Sequence, residues 1–159
     1  MEFVDLVPNS LTFRIINTID VDDESEIPAD YTGRVRRYVA GSLAYVGWYR
    51  VGRLHNPGRS NPAYRRLRPD GTLKYELFYT YGELDDPAGG GPAVRGFYAD
   101  SSLHYEEHYR AGKRNDAADG TPAIRKLRHD GSIRHQLHYT DGRRGLPRAR
   151  RSSESAFNP

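Results

Sequence analysis

The sequence predicts an all-β protein, an elongated and twisted antiparallel sheet of stacked β-hairpins, and three observations carry that prediction. One unit of 30 residues repeats four times without a gap over residues 31–145. Tyr49, Tyr79, Tyr109 and Tyr139 recur in register, as do Gly52, Gly82, Gly112 and Gly142, and the pairs Pro62-Ala63, Pro92-Ala93 and Pro122-Ala123. A fixed period in this range marks an array in which each unit buries its apolar side against its neighbours. Strand periodicity is the second observation: Leu73, Tyr75, Leu77 and Tyr79 alternate with Lys74, Glu76, Phe78 and Thr80. The third is turn chemistry. Pro69-Asp70-Gly71 has the residue order of a type I turn followed by a bulge, with glycine in the left-handed position.

Three segments follow from the repeat: residues 1–30 as an N-terminal cap, 31–145 as four hairpin repeats, and 146–159 as a polar tail. Within the cap, residues 11–19 are β-branched and alternating, which predicts a strand covering the edge of the sheet. The acidic stretch 20–30 is expected as a surface loop lying against Arg34, Arg36 and Arg37. The first unit, 31–60, is degenerate, with Thr32-Gly33 in place of Pro-Ala, as terminal units of arrays often are.

The second unit sets the pattern, with a strand over 62–68 and a return strand over 72–80. A three-residue bulged turn pairs Leu67 with Leu73, Arg65 with Tyr75 and Ala63 with Leu77. A two-residue Asp-Gly turn would instead pair Arg65 with Glu76 and Arg95 with Glu106. The two registers exclude one another, because a one-residue slip exchanges the faces of one strand. The bulged register is preferred since it unites the aliphatic residues. The third and fourth units carry Ala99-Asp100-Ser101 and His129-Asp130-Gly131 at the turn. Segments 83–91 and 113–120 are rich in Asp, Gly, Asn and Pro and read as loops. The Tyr49, Tyr79, Tyr109 and Tyr139 column is expected to be largely buried, ring beside ring. After Gly142 the chain becomes Arg-rich and aperiodic, and the tail is expected to be disordered when alone.

Composition narrows the function. Only 36% of the residues are hydrophobic and the mean hydropathy is −0.82, too little for a thick core, but twelve Tyr, five Phe and one Trp can line a thin sheet. There is no Cys, which excludes disulfides and thiolate metal sites. No apolar run is long enough to span a membrane, and the acidic N-terminus does not resemble a signal peptide, so the expected location is cytoplasmic, or virion-associated if the gene is phage-borne. The net charge of +3 is unevenly spread, since residues 1–30 hold eight acids and one base. Of the 24 cationic residues only Lys74, Lys113 and Lys126 are lysines. Arginine suits bidentate contact with carboxylate or phosphate, although a GC-rich genome produces the same bias.

Arg65, Arg95 and Arg125 share a repeat position and are expected to form a binding stripe across the sheet, with Tyr75 and Tyr105 beside them. Arg143, Arg144, Arg148, Arg150 and Arg151 are expected to form a second cationic element, left for an acidic partner. His104, Glu106 and His108 alternate along one strand, with His138 one repeat on. Such a set suits a divalent metal. Yet His108 and His138 take the position of Trp48 and Phe78, which makes them members of an aromatic column, so no metal and no cofactor is expected. Nor is an enzyme. The glycines of 88–91 lack the Lys and Ser/Thr of a phosphate loop, and Asp70, Asp100 and Asp130 recur because the turn needs them.

Pro-Ala, then Asp-Gly, then Glu-x-x-Tyr-x-x-Gly-Lys is the recurring core, clearest in Gly91-Pro92-Ala93 and in Glu106, Tyr109, Gly112 and Lys113. It resembles the MORN-like repeats of the YwqK-type antitoxin family, over residues 31–145 and best over 61–145. It departs from the standard MORN unit, which is shorter and has a Tyr-x-Gly-x-Trp core that only 45–49 approaches, and the fourth unit has Gln136 in place of the Glu. The resemblance implies stacked hairpins that bind proteins, or in some relatives acidic lipid. The expected function is therefore a non-catalytic protein-binding module, antitoxin-like or immunity-like, whose partner is a toxin or an assembly subunit. The alternatives are a bacteriophage structural or host-interaction protein, or a binder of RNA or acidic lipid through the basic sheet face.

Overall fold

The fold was obtained as a computed structural model, which describes residues 17–145. The cap contributes β1 (Thr18–Val21) and a single 3-10 turn at Glu24–Glu26, whose Ser25 amide is capped by the Asp23 carboxylate. The first unit gives β2 (Gly33–Val39), β3 (Ser42–Arg50) and β4 (Arg53–Leu54). The second gives β5 (Tyr64–Leu67), β6 (Leu73–Leu77), β7 (Tyr79–Thr80) and β8 (Glu83–Leu84). The third repeats this as β9 (Val94–Phe97), β10 (Leu103–Glu107), β11 (Tyr109–Arg110) and β12 (Lys113–Arg114). The fourth ends with β13 (Ile124–Leu127), β14 (Ile133–Thr140) and β15 (Arg143–Gly145).

One 11-stranded sheet holds the long strands in the order β1-β2-β3-β5-β6-β9-β10-β13-β14-β15, with β4 paired to β3 beside β5. All its pairings are antiparallel except β1–β2. The long turns form as their residues dictate. Gly71 and Gly131 sit at φ +83 and +78, and Ser101 is held at φ +68 in the third unit. The Asp at the centre of each turn accepts from the backbone two residues on, as Asp70 does from Thr72 and Asp100 from Ser102.

Both strand registers are present in each of the four long hairpins, which corrects the expectation that one excludes the other. Leu67 pairs with Leu73, then a bulge at Lys74 shifts the ladder so that Arg66 meets Tyr75 and Arg65 meets Glu76. The same shift falls at Ala44, His104 and Arg134. One unpaired residue lets the turn follow one register and the strand the other.

Three further expectations need correction. The edge strand begins at Thr18 rather than spanning 11–19, of which 11–16 lie outside the described residues, and it runs parallel to β2. Asp20 and Val21 therefore belong to a strand rather than a loop. Asp20 forms an ion pair with Arg36 at 2.8 Å, so the acidic stretch does lie against the basic edge. Segments 83–91 and 113–120 begin with β8 and β12, which close a second, two-residue hairpin in each unit. Its turn needs positive φ at both central residues, met by Tyr81-Gly82, Ala111-Gly112 and Asp141-Gly142. Tyr49, Tyr79, Tyr109 and Tyr139 each keep only the smaller part of their surface exposed, as expected. Among the described residues, Val21 of the cap packs with Val35 and Tyr45 of the first unit in an apolar cluster covered by Ile27 and Tyr31.

Candidate protein-binding surface

The joints between units fix the surface. Asn56, Asp86 and Asp116 are spaced by the repeat and do the same work. The Oδ1 of each accepts from the amide of the next unit's alanine (Ala63, Ala93, Ala123) and from the amide of a tyrosine (Tyr79, Tyr109, Tyr139). The alanines are fully buried, which leaves room for nothing larger. In the two later joints the second carboxylate oxygen binds a histidine Nδ1 at 2.7 Å: Asp86 with His108, and Asp116 with His138. In the first joint the neutral Asn56 stands where the column residue is Phe78. Hydrogen bonds hold the Asp116 carboxyl below its ordinary pKa despite burial. The short hairpins stack in turn, with Gly82, Gly112 and Gly142 donating to the carbonyls of Leu54, Leu84 and Arg114.

One face of the sheet is ionic. A cross-strand row runs Arg65, Glu76, Arg95, Glu106, Arg125 and Gln136. Glu76 is 5% exposed and lies between Arg95 at 2.6 Å and Arg65 at 3.5 Å. Glu106, 7% exposed, is bonded by Arg125. The expected stripe of Arg65, Arg95 and Arg125 thus exists, but its charges alternate with buried carboxylates. Tyr75 and Tyr105 lie on the opposite face, because the bulge sets Tyr75 across from Arg66 instead of Arg65.

That opposite face is paved with tyrosine. Successive strands place Arg37, Tyr45, Arg66, Tyr75, Gly96, Tyr105 and Lys126 in one row. Tyr45 and Tyr64 rings lie 4.8 Å apart, and Tyr64 stacks parallel to Tyr75 at 5.8 Å. Gly96 is required where it stands, because the Tyr105 ring covers the space a Cβ would fill. Between the last two members of the tyrosine column, expected to stack ring on ring, a cation stands instead: Arg114 lies 5.8 Å from both Tyr109 and Tyr139 and pairs with Glu107, which also accepts from the Tyr109 hydroxyl. Burial pushes the hydroxyls of Tyr45, Tyr49, Tyr64, Tyr79 and Tyr105 up, and that of Tyr109 up to about 12.

Sequence reasoning singled out the arginine row and missed this face as a surface. Its signal was present in the 30-residue spacing of Tyr45, Tyr75 and Tyr105. The three residues weighed as metal ligands are engaged elsewhere. His104 packs on Tyr98 at 4.2 Å, Glu106 bonds Arg125 and His108 bonds Asp86. Among the described residues no group of three such side chains converges. Arg143 and Arg144 lie exposed in β15 and line a shallow hollow with Lys113 and Thr140, while Arg148, Arg150 and Arg151 lie outside the described residues. No helix among the described residues is long and apolar enough to cross a membrane. No protein-family model, curated protein or solved structure matches the chain.

Proposed function

We propose that the chain is a non-catalytic protein-binding module, antitoxin-like or immunity-like, whose tyrosine face covers the surface of a partner protein. The observation that carries this is the row Arg66, Tyr75, Tyr105 and Lys126 on a continuous sheet. Half-buried tyrosines offer large amphipathic contact area at low entropy cost, which is the chemistry of protein-binding surfaces. The repeat's resemblance to MORN-like antitoxins points the same way and supplies the partner class, a toxin. The test is co-expression with the products of adjacent genes. Relief of growth arrest by this chain, lost on Arg66→Glu with Lys126→Glu while the thermal melt is kept, supports the reading. Relief that survives the double charge reversal places the contact elsewhere, and a neighbourhood of virion genes favours an assembly role.

A second reading has its own observation: Arg66 and Lys126 interleave with Tyr75 and Tyr105, the pattern of a single-strand nucleic-acid platform. Glu107 on the same face and the net charge of +3 weigh against it. Retention of an oligouridylate that falls steeply with salt, and is lost in the same double variant, would establish it over the first.

A further inference from the structure

We infer that the outer edge of β14, Ile133–Leu137, accepts an extended acidic strand from a partner protein, at a site separate from the tyrosine face. Every other return strand has neighbours on both sides. β3 is followed by β5, β6 by β9 and β10 by β13, each in the same relative register. No described residue takes that place beside Ile133–Leu137, and Ile133, Arg134, His135 and Gln136 are exposed.

The backbone direction is fixed by the repeat. Phe78 N–H donates to Ala93 O, and His108 N–H to Ala123 O. Alternate residues of those strands, Glu76 and Glu106 among them, therefore point both backbone groups at the following unit. Gln136 occupies the same position, so its N–H and C=O point out of the sheet. The same vacancy shows in the turn. The second guanidinium nitrogen of Arg68 reaches Phe97 O in the next unit, whereas among the described residues Arg128 bonds only within its own turn, to Ser132 and Ile133.

Chemistry selects the occupant. Residues 121–145 hold Arg125, Lys126, Arg128, Arg134, Arg143 and Arg144 against Asp130 and Asp141. β15 pairs with the far end of β14 just as β4 pairs with the far end of β3, on the side where β5 lies. An added strand would therefore end beside Arg143 and Arg144. Where the internal units place a glutamate for the next unit's arginine, the last has neutral Gln136, which asks for no cation. Two copies joined through β14 would oppose like charges across the seam, which disfavours a second copy.

The test is amide hydrogen exchange on the full chain, alone and with the peptide acetyl-Val-Glu-Val-Glu-Val-Glu-amide, compared with its Val-Lys counterpart. The Gln136 amide should exchange freely in the chain alone, unlike the Glu76 and Glu106 amides. With acidic peptide at about ten times its Kd, exchange at Gln136 should slow about tenfold. The lysine peptide should leave it unchanged. Gln136→Pro, tolerable at an edge whose N–H faces out, should abolish binding of the acidic peptide, and Arg143→Glu with Arg144→Glu should remove the preference for acid. Protection of Gln136 in the chain alone overturns the proposal. If it is independent of concentration the chain's own residues fill the edge, and if it grows with concentration a second copy does. Equal effects of the two peptides, or none from either, overturn it as well. None of these readings touches Arg66 or Lys126, so the edge and the tyrosine face fail separately.

Discussion

Asp86 Oδ2 lies 2.7 Å from His108 Nδ1 across 22 residues of sequence, while its other oxygen holds the amides of Ala93 and Tyr109. One carboxylate thus ties together the end of one unit, the first strand of the next and that unit's aromatic column. The first joint solves the same problem without charge, with Asn56 and Phe78. The pairing rule is Asp with His, Asn with Phe.

That rule predicts a double-mutant cycle. Asp86→Ala leaves two buried backbone donors unpaired and should cost about 2–6 kcal/mol in chemical denaturation, at one to three per orphaned group. Asp86→Asn keeps both backbone bonds and should cost about 1 kcal/mol or less. His108→Phe alone should cost more, since it strands a carboxylate oxygen, and the pair Asp86→Asn with His108→Phe should recover most of the loss. Additive single and double values would show that the two side chains are uncoupled.

Glu76 gives a second expectation. It is buried between two arginines that are themselves 50% and 37% exposed, so solvent screens the pair and tempers its contribution. Glu76→Gln imitates what Gln136 does at the end of the array and should cost about 1 kcal/mol, whereas Glu76→Lys puts three cations together and should cost about 3 kcal/mol or more. A reversal that melts at the same temperature as the parent would mean the row is held by its backbone alone.

Gly96 permits a packing test. Any Cβ there enters the ring of Tyr105. Gly96→Ala should destabilise by about 1–3 kcal/mol, the usual scale of overpacking. Adding Tyr105→Leu should return part of it. A Gly96→Ala variant as stable as the parent would show that the ring moves aside freely.

Alkali should unfold the protein early. Seven tyrosines, Tyr31, Tyr45, Tyr49, Tyr64, Tyr79, Tyr105 and Tyr109, have hydroxyls raised above the ordinary value of 10.0, chiefly by burial. A group whose pKa is raised on folding contributes stability that is full below the unfolded value. That contribution is lost as pH climbs through the folded one. Stability should thus fall from pH 10 upward, reaching about 12 for Tyr109. The turn aspartates act at the other end. Asp70, Asp100 and Asp130 are lowered from 3.8 by hydrogen bonds to the residue two ahead, Asp100 to about 2, so their contribution is present above 3.8 and lost as pH falls toward 2. Thermal melts across both ranges, with absorbance at the tyrosinate band, check the two limbs.

Much of this was readable in the chain. The 30-residue period located the units, and Pro69-Asp70-Gly71 identified both the turn and the pairing of Leu67 with Leu73. The arginine row was also found, but not what stands opposite it, because the bulge at Lys74 carries no residue signature of its own. The glycine column at 52, 82, 112 and 142 was visible, yet its meaning was not. The partner that must share positive φ is Val51, Tyr81, Ala111 or Asp141, and only the last belongs to a residue type that favours it. The parallel β1 escaped for another reason: alternation reports that a strand exists and not which way it runs.

The joint has a consequence for how such a chain changes length. Every tie that Asp86 makes reaches forward by fewer residues than one period, at 7, 22 and 23. Excising residues 87–116 would hand Asp86 the partners of Asp116, namely Ala123, His138 and Tyr139, and would seat Glu76 beside Arg125 in place of Arg95. Each substituted neighbour is of the same residue type as the one removed. A gene carrying this protein can therefore lose that unit in one recombination event and keep the ties of the joint, so copy number is a trait that selection can alter here.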